Sequence, residues 1–141
     1  MNPEIDKDGT KWWYKNGKRH RDDGPACEWS DGYKAWYKND KRHRDDGPAI
    51  ECADGTKTWW KNGERHRDDG PAVEYANGSK EWYKNDKLHR NDGPACEWAD
   101  GDKWWFKNGE QIFDLPAHFS LKILVEHGAL TPIQIAKERL K

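Results

Sequence analysis

Long apolar segments are missing from this sequence. Only 33% of its 141 residues are hydrophobic, and no window reaches the roughly 18 consecutive apolar residues of a membrane-spanning helix. The first residues, MNPEIDKDGT, lack the basic and then apolar stretches of a secretory signal peptide. We therefore expect a soluble, cytoplasmic protein.

An excess of charge of either sign is also missing. Lysine and arginine number 25 against 26 acidic residues, so no overall positive field draws nucleic acid or an anionic membrane to the chain. The three cysteines, Cys27, Cys52 and Cys96, have no CxxC spacing. They predict neither a disulfide framework nor a zinc site, and we interpret them as small core residues.

Aromatic residues supply what the aliphatic ones do not. The chain has ten tryptophans, five tyrosines and three phenylalanines, although 36% of its residues are charged. Aromatic side chains bury a large apolar area per residue, so a folded core is feasible despite the polar composition. We predict that this core is built mainly from tryptophan.

A 23-residue repeat organises the sequence. Blocks such as HRDDGPACEWSDGYKAWYKNDKR begin at His20, His43, His66 and His89, and an incomplete copy, DGTKWWYKNGKR, comes before them. Each block has two hairpin turn signals, an Asp-Gly or Asn-Gly pair and then an Asn-Gly or Asn-Asp pair. Stacked hairpins are expected, because one unit cannot bury an apolar face alone.

Strand pairing follows if both turns are two-residue loops. Around Asn39-Asp40, Tyr37 then faces Arg42 and Trp36 faces His43; around Asp31-Gly32, Glu28 faces Ala35 and Cys27 faces Trp36. This register places three series in the core. They are Cys27, Ile50, Val73 and Cys96; Trp29, Cys52, Tyr75 and Trp98; and Trp13, Trp36, Trp59, Trp82 and Trp105.

The fold class is therefore mainly β, an elongated antiparallel sheet of five hairpin units over residues 1–113. Residues 114–141 are predicted to form a short two-helix cap. Asp114 is a candidate N-cap and Gly128 a stop for the first helix, and Thr131 caps the second. Such a cap would cover the open end of the sheet; DNA recognition by the pair is a less favoured alternative.

The succession W-Y-K-N-G, H-R, D-G-P-A and D-G-x-K-x-W-Y resembles MORN-type repeats, in particular the antitoxin-like variants of bacterial and viral proteins. The resemblance covers about residues 8 to 110. It implies a series of stacked β-hairpins that serves as an interaction scaffold for partner proteins or, in some members, for membrane surfaces.

Residue types suited to catalysis or metal binding occur in every block. His43, Arg44, Asp45 and Asp46, with Glu51 downstream, form one such set. An enzyme needs one constellation in one pocket, so the fourfold repetition indicates that these residues serve the fold. We predict no catalytic residues, no metal and no cofactor, with Asp46 accepting backbone N–H groups in its turn.

A line of aromatic residues beside arginines is the best candidate binding surface. Exposed tyrosine, tryptophan and arginine are the usual anchors of protein interfaces, so a protein partner is expected. The candidate partner-binding residues are Tyr14, Arg19, Tyr37, Arg42, Trp60, Arg65 and Tyr83.

The function predicted is that of a non-enzymatic binder, for instance an inhibitor of a host or toxin protein. The alternative is capture of a phosphorylated small molecule or single-stranded nucleic acid by the repeated Arg, His and aromatic positions. A membrane partner is not favoured, and a homo-oligomer is left open.

Overall fold

The computed structural model describes residues 2–112, and every regular element in that range is a strand of two residues. In chain order the strands are β1 (Glu4–Ile5), β2 (Lys11–Trp12), β3 (Tyr14–Lys15), β4 (Lys18–Arg19), β5 (Cys27–Glu28), β6 (Lys34–Ala35), β7 (Tyr37–Lys38), β8 (Lys41–Arg42), β9 (Ile50–Glu51), β10 (Lys57–Thr58), β11 (Trp60–Lys61), β12 (Glu64–Arg65), β13 (Val73–Glu74), β14 (Lys80–Glu81), β15 (Tyr83–Lys84), β16 (Lys87–Leu88), β17 (Cys96–Glu97), β18 (Lys103–Trp104), β19 (Phe106–Lys107) and β20 (Glu110–Gln111).

Ten of these strands form one long antiparallel sheet in the order β1-β2-β5-β6-β9-β10-β13-β14-β17-β18. The other ten form five separate hairpins, β3-β4, β7-β8, β11-β12, β15-β16 and β19-β20. Each unit thus contributes one hairpin to the sheet and one side hairpin next to it. The predicted array of repeated antiparallel hairpins in a long sheet is confirmed.

The side hairpins have the predicted two-residue turns. Asn39 and Asp40 both have positive φ, at 49° and 69°, as a type I′ turn requires. Tyr37 pairs with Arg42, and the N–H of His43 donates to the carbonyl of Trp36 at 3.1 Å. The register predicted around this turn is confirmed.

The sheet hairpins differ from the prediction by one residue. Cys27 pairs with Ala35 and Glu28 with Lys34, so the predicted pairing of Cys27 with Trp36 and Glu28 with Ala35 is wrong. Gly32 has a φ of 101°, but Asp31 is not left-handed, and the N–H of Gly32 donates to the carbonyl of Trp29. The connection is a three-residue loop with a left-handed glycine at its end.

This register gives the sheet two different faces, because side chains directly opposite each other lie on the same face. One face has an alternating row of lysine and glutamate: Lys11, Glu28, Lys34, Glu51, Lys57, Glu74, Lys80, Glu97 and Lys103. The other has a mainly apolar row: Trp12, Cys27, Ala35, Ile50, Thr58, Val73, Glu81, Cys96 and Trp104.

The buried residues confirm two of the three predicted core series in full or in part. Cys27, Ile50, Val73 and Cys96 are all buried. Trp13 and Trp105 are buried, and Trp36, Trp59 and Trp82 are half-buried. In the third series Cys52 is half-buried and packs against the core. The prediction is wrong for Trp29, Tyr75 and Trp98, which are exposed because the three-residue loops place these side chains at the rim of the sheet.

The predicted helical cap, residues 114–141, lies outside the described residues and stays a prediction. Within residues 2–112, no helix has the length and apolar character needed to cross a membrane.

Candidate functional site

Each His-Arg-Asp-Asp-Gly-Pro-Ala segment folds around its own arginine. Arg44 Nε donates to Asp46 Oδ1 at 3.0 Å, and Arg44 Nη1 donates to the carbonyl of Pro48 at 3.1 Å. The guanidinium lies 4.0 Å from the centre of the Trp36 ring, and Nη1 is 3.6 Å from Glu51 Oε1. We call this residue and its three equivalents the loop arginines: Arg21, Arg44, Arg67 and Arg90.

The carboxylate of Asp46 therefore has a different role from the one predicted. It accepts a hydrogen bond from the Arg44 side chain, and the expectation that it accepts backbone N–H groups is not met. An Nε–H donor on a positive guanidinium is a stronger partner for a carboxylate than a neutral backbone amide.

Glycine is needed in this segment because the guanidinium lies against its backbone. A Cβ atom on Gly47 would lie 3.0 Å from Arg44 Cζ and 3.2 Å from Arg44 Nε. The same close approach occurs at Gly24, Gly70 and Gly93. None of these four glycines has positive φ, so they are required by the space that the loop arginine occupies and not by backbone conformation.

The repeated histidines join neighbouring units. The N–H of Asn62, 19 residues further along, donates to His43 Nδ1 at 3.0 Å. Since Nδ1 accepts, the ring proton is assigned to Nε2, which lies 2.9 Å from Asp45 Oδ1. Both ring nitrogens are thus engaged, and neither is free to act as a general base. His20 and His66 repeat both contacts.

Open grooves separate successive segments, with volumes of about 660 to 690 Å³. The groove between the second and third segments is lined by Asp45, Asp46, Trp59, Lys61 and Asp68, among others. In the part of the chain that the structure describes, no group of three or more His, Cys, Asp or Glu side chains is placed to hold a metal ion.

A second set of arginines lies on the side hairpins, and we call Arg19, Arg42 and Arg65 the hairpin arginines. Arg19 Cζ lies 4.3 Å from the centre of the Tyr37 ring, and Arg65 Cζ lies 4.1 Å from that of Tyr83. Each arginine therefore covers an aromatic ring of the following unit. Arg42 is more distant from its ring, with Cζ 5.0 Å from the centre of Trp60.

This stacking changes the expected exposure of the candidate partner-binding residues. Tyr37 and Tyr83 are 7% and 8% exposed, so the expectation that they are exposed anchors is wrong, because the preceding hairpin arginine covers each ring. Tyr14 is exposed and Trp60 is half-buried. The three hairpin arginines are also half-buried.

The exposed aromatic side chains lie elsewhere, at Trp29, Tyr75, Trp98 and Trp104. Trp104 belongs to the apolar row, and the other three follow a residue of that row by two positions, which places them on the same face. We call Trp29, Tyr75, Trp98 and Trp104 the aromatic rim. A sequence signal existed for Trp104, since inner copies have Ala35, Thr58 or Glu81 there.

One charged residue interrupts the apolar row. Glu81 is only 7% exposed, and its charge acts on the phenols of Tyr75 and Tyr83. Burial, together with the negative charge of Glu81, raises the pKa of both phenols above the ordinary value of 10. Both phenols therefore stay neutral beside the buried carboxylate.

The aromatic rim borders an apolar groove at the last unit. Leu88, Trp98, Trp104 and Phe106 line it, and its volume is about 480 Å³. Glu81, Asp100 and Asp102 supply carboxylates among the lining residues, and burial raises the pKa of the Cys96 thiol there to about 12. The groove is thus an apolar surface with acidic groups, suited to contacts with apolar and cationic side chains.

No protein-family model matches the chain, and no curated protein sequence is similar to it. Its function is therefore inferred from the geometry of residues 2–112.

Proposed function

We propose that this protein is a non-enzymatic protein-interaction module that binds its partner through the apolar face of the sheet. The observation that carries the proposal is the aromatic rim, four large side chains partly open to solvent on that face. Tyrosine and tryptophan at such positions are the commonest anchors of protein interfaces. Trp29 alone is 47% exposed.

The opposite face supports this choice of surface. Its lysines and glutamates alternate across every strand junction from β2 to β18. The glutamates also form ion pairs with the loop arginines, so their charges have partners within the fold. Lysine and glutamate are also depleted in interface cores. The asymmetry between the faces favours binding on the aromatic side.

The arrangement of the polar residues supports a function without catalysis. The His-Arg-Asp-Asp segments use their side chains on one another, on the backbone or on the next unit, and do so in several copies. An active site instead requires an acid, base or nucleophile that is available to a substrate. The resemblance to MORN-type repeats implies an interaction scaffold, and inhibition of a host or toxin protein is the most concrete version of the proposal.

The test is an affinity capture from lysate of the source cells, followed by mass spectrometry. The bait is the full chain, and the test variant carries Trp29→Ser, Trp98→Ser and Trp104→Ser together. These side chains are exposed, so the variant is expected to fold. We expect one protein to be retained in stoichiometric amount by the native chain and lost from the variant.

A matched control carries Lys34→Ser, Lys57→Ser and Lys80→Ser on the charged face and should retain the same protein. Circular dichroism melts confirm that both variants are folded. Equal retention by all three baits would place binding away from the aromatic rim, and retention of nothing by the native chain would contradict the proposal.

A further inference from the structure

Each hairpin arginine faces the turn of the next unit, and the residue type at the last turn position differs from junction to junction. At the first junction, Asp40 Oδ1 accepts from Arg19 Nε at 2.7 Å and from the backbone N–H of Arg19 at 3.1 Å. At the third, Asp86 Oδ1 accepts from Arg65 Nε at 2.8 Å and from its N–H at 3.4 Å. One carboxylate oxygen thus receives two donors of one arginine.

The second junction has the same backbone but no carboxylate. The N–H of Gly63 donates to the carbonyl of Arg42 at 2.9 Å, as the N–H of Asp40 does to the carbonyl of Arg19. Since the carbonyl of Arg42 faces Gly63, its N–H points toward the same turn. Glycine offers no oxygen there, and within residues 2–112 Arg42 Nε is buried without a hydrogen-bond partner.

The fourth junction is the apolar counterpart. Leu88 takes the place of the arginine, and the turn again ends in glycine, Gly109. Arginine is thus matched with aspartate at two junctions, and leucine with glycine at one. Among these four, only the second combines an arginine with a glycine, which leaves a cation where the others have either an ion pair or no charge.

Space for an anion exists beside this arginine. The three atoms nearest to a Cβ placed on Gly63 are side-chain carbons of Lys41 at 3.7 to 3.9 Å, which is ordinary van der Waals contact. A carboxylate branch therefore fits at the Gly63 position, as those of Asp40 and Asp86 do at theirs, and the flexible end of the Lys41 side chain can adjust to it.

We propose that Arg42 binds one carboxylate group in the position that Asp40 and Asp86 occupy at the neighbouring junctions. The carboxylate accepts hydrogen bonds from Nε and the backbone N–H of Arg42. A small carboxylic acid or an Asp or Glu side chain of a partner protein can supply this group. The site itself does not depend on the proposed protein-binding function, whereas its use by a partner does.

The probe is sodium acetate, titrated into the ¹⁵N-labelled full chain at constant ionic strength against sodium chloride. The readout is the NMR signal of each arginine Nε–H. We expect a saturable shift of the Arg42 signal and none for Arg65, whose partner is already present. In Gly63→Asp the Arg42 response should vanish, and in Asp86→Gly a response should appear at Arg65.

Two results would overturn the proposal: an Arg42 signal that responds to acetate no more than Arg65 does, or an equal response in Gly63→Asp. Tighter binding of inorganic phosphate than of acetate would overturn the carboxylate assignment. Arg42→Leu, which copies the fourth junction, separates the sources. If a partner protein captured by the native chain is lost from this variant, the partner supplies the carboxylate. If its capture is unchanged, the carboxylate comes from a small acid. This assignment holds whether or not the aromatic rim binds protein.

Discussion

The two sets of arginines use the same chemistry for different ends. Every loop arginine stacks on a tryptophan at 3.9 to 4.0 Å and bonds an aspartate and a proline carbonyl of its own segment. The hairpin arginines also stack on aromatic rings, but those rings belong to the next unit. A carboxylate partner is present for Arg19 and Arg65 and absent for Arg42. Contacts repeated in every copy serve the fold, whereas the carboxylate missing at the second junction leaves Arg42 Nε available for binding.

Replacing one arginine of each set by leucine tests whether the two sets contribute differently to stability. Arg44→Leu removes the stacking on Trp36 and the hydrogen bonds to Asp46 and Pro48, so we expect a loss of about 2–3 kcal/mol in the free energy of unfolding. Arg42→Leu removes a buried donor that has no partner and should cost less than about 1 kcal/mol. Urea unfolding followed by tryptophan fluorescence measures both.

Because both changes replace arginine by leucine, differences in side-chain entropy and charge largely cancel between the two variants. A larger loss in Arg42→Leu than in Arg44→Leu would show that the hairpin set, and not the loop set, carries the fold.

Gly47 tests the contact between the loop backbone and the guanidinium of Arg44. Gly47→Ala places a methyl group 3.0 Å from Arg44 Cζ, so the guanidinium must leave its place on Trp36. We expect a loss of about 1–2 kcal/mol in the free energy of unfolding. In the double variant with Arg44→Leu the alanine should cost almost nothing, since the group that it displaces is gone.

The urea midpoints of Gly47→Ala, Arg44→Leu and the double variant give the coupling directly. Strict additivity of the two changes would mean that Gly47 is needed for its backbone, contrary to the close contact with Arg44.

Much of the fold was predictable from the repeat. The 23-residue period predicts the five hairpin units, and Asn39-Asp40 predicts its two-residue turn, because both residues tolerate positive φ. Asp31-Gly32 was less informative, since such a pair fits either a two-residue turn or the end of a three-residue loop. Because the two-residue turn was assumed, the predicted register of the sheet hairpins is wrong by one residue. The exposure of Trp29, next to the loop, was not predicted.

The candidate site was predictable only in part, for a different reason. Arginines beside aromatic rings were expected, but the ring that Arg19 covers belongs to the next unit, as does the carboxylate of Asp40, 21 residues away. Such contacts depend on the spacing between stacked units, which local sequence patterns do not encode. For the same reason the burial of Tyr37 and the missing partner of Arg42 became visible only in the structure.

The smallest expected effect concerns the carboxylate that Arg42 lacks and Arg19 has. The side chain of Arg19, and then its backbone N–H, hydrogen-bond to Asp40 and lower the pKa of that carboxyl below the ordinary 3.8. A lowered pKa in the folded state means that the ionised Asp40 stabilises the fold above pH 3.8, and that this contribution is lost as the pH falls through the folded-state pKa.

In Arg19→Leu the pKa of Asp40 should rise toward 3.8, as ¹³C NMR of the carboxyl carbon would show. Asp54 is the internal control, because the N–H of Thr56 lowers its pKa and no arginine is involved. An unchanged pKa of Asp40 in this variant would mean that the arginine does not stabilise the carboxylate. It would also contradict the analogy between Arg19 and Arg42 on which the Arg42 site is based.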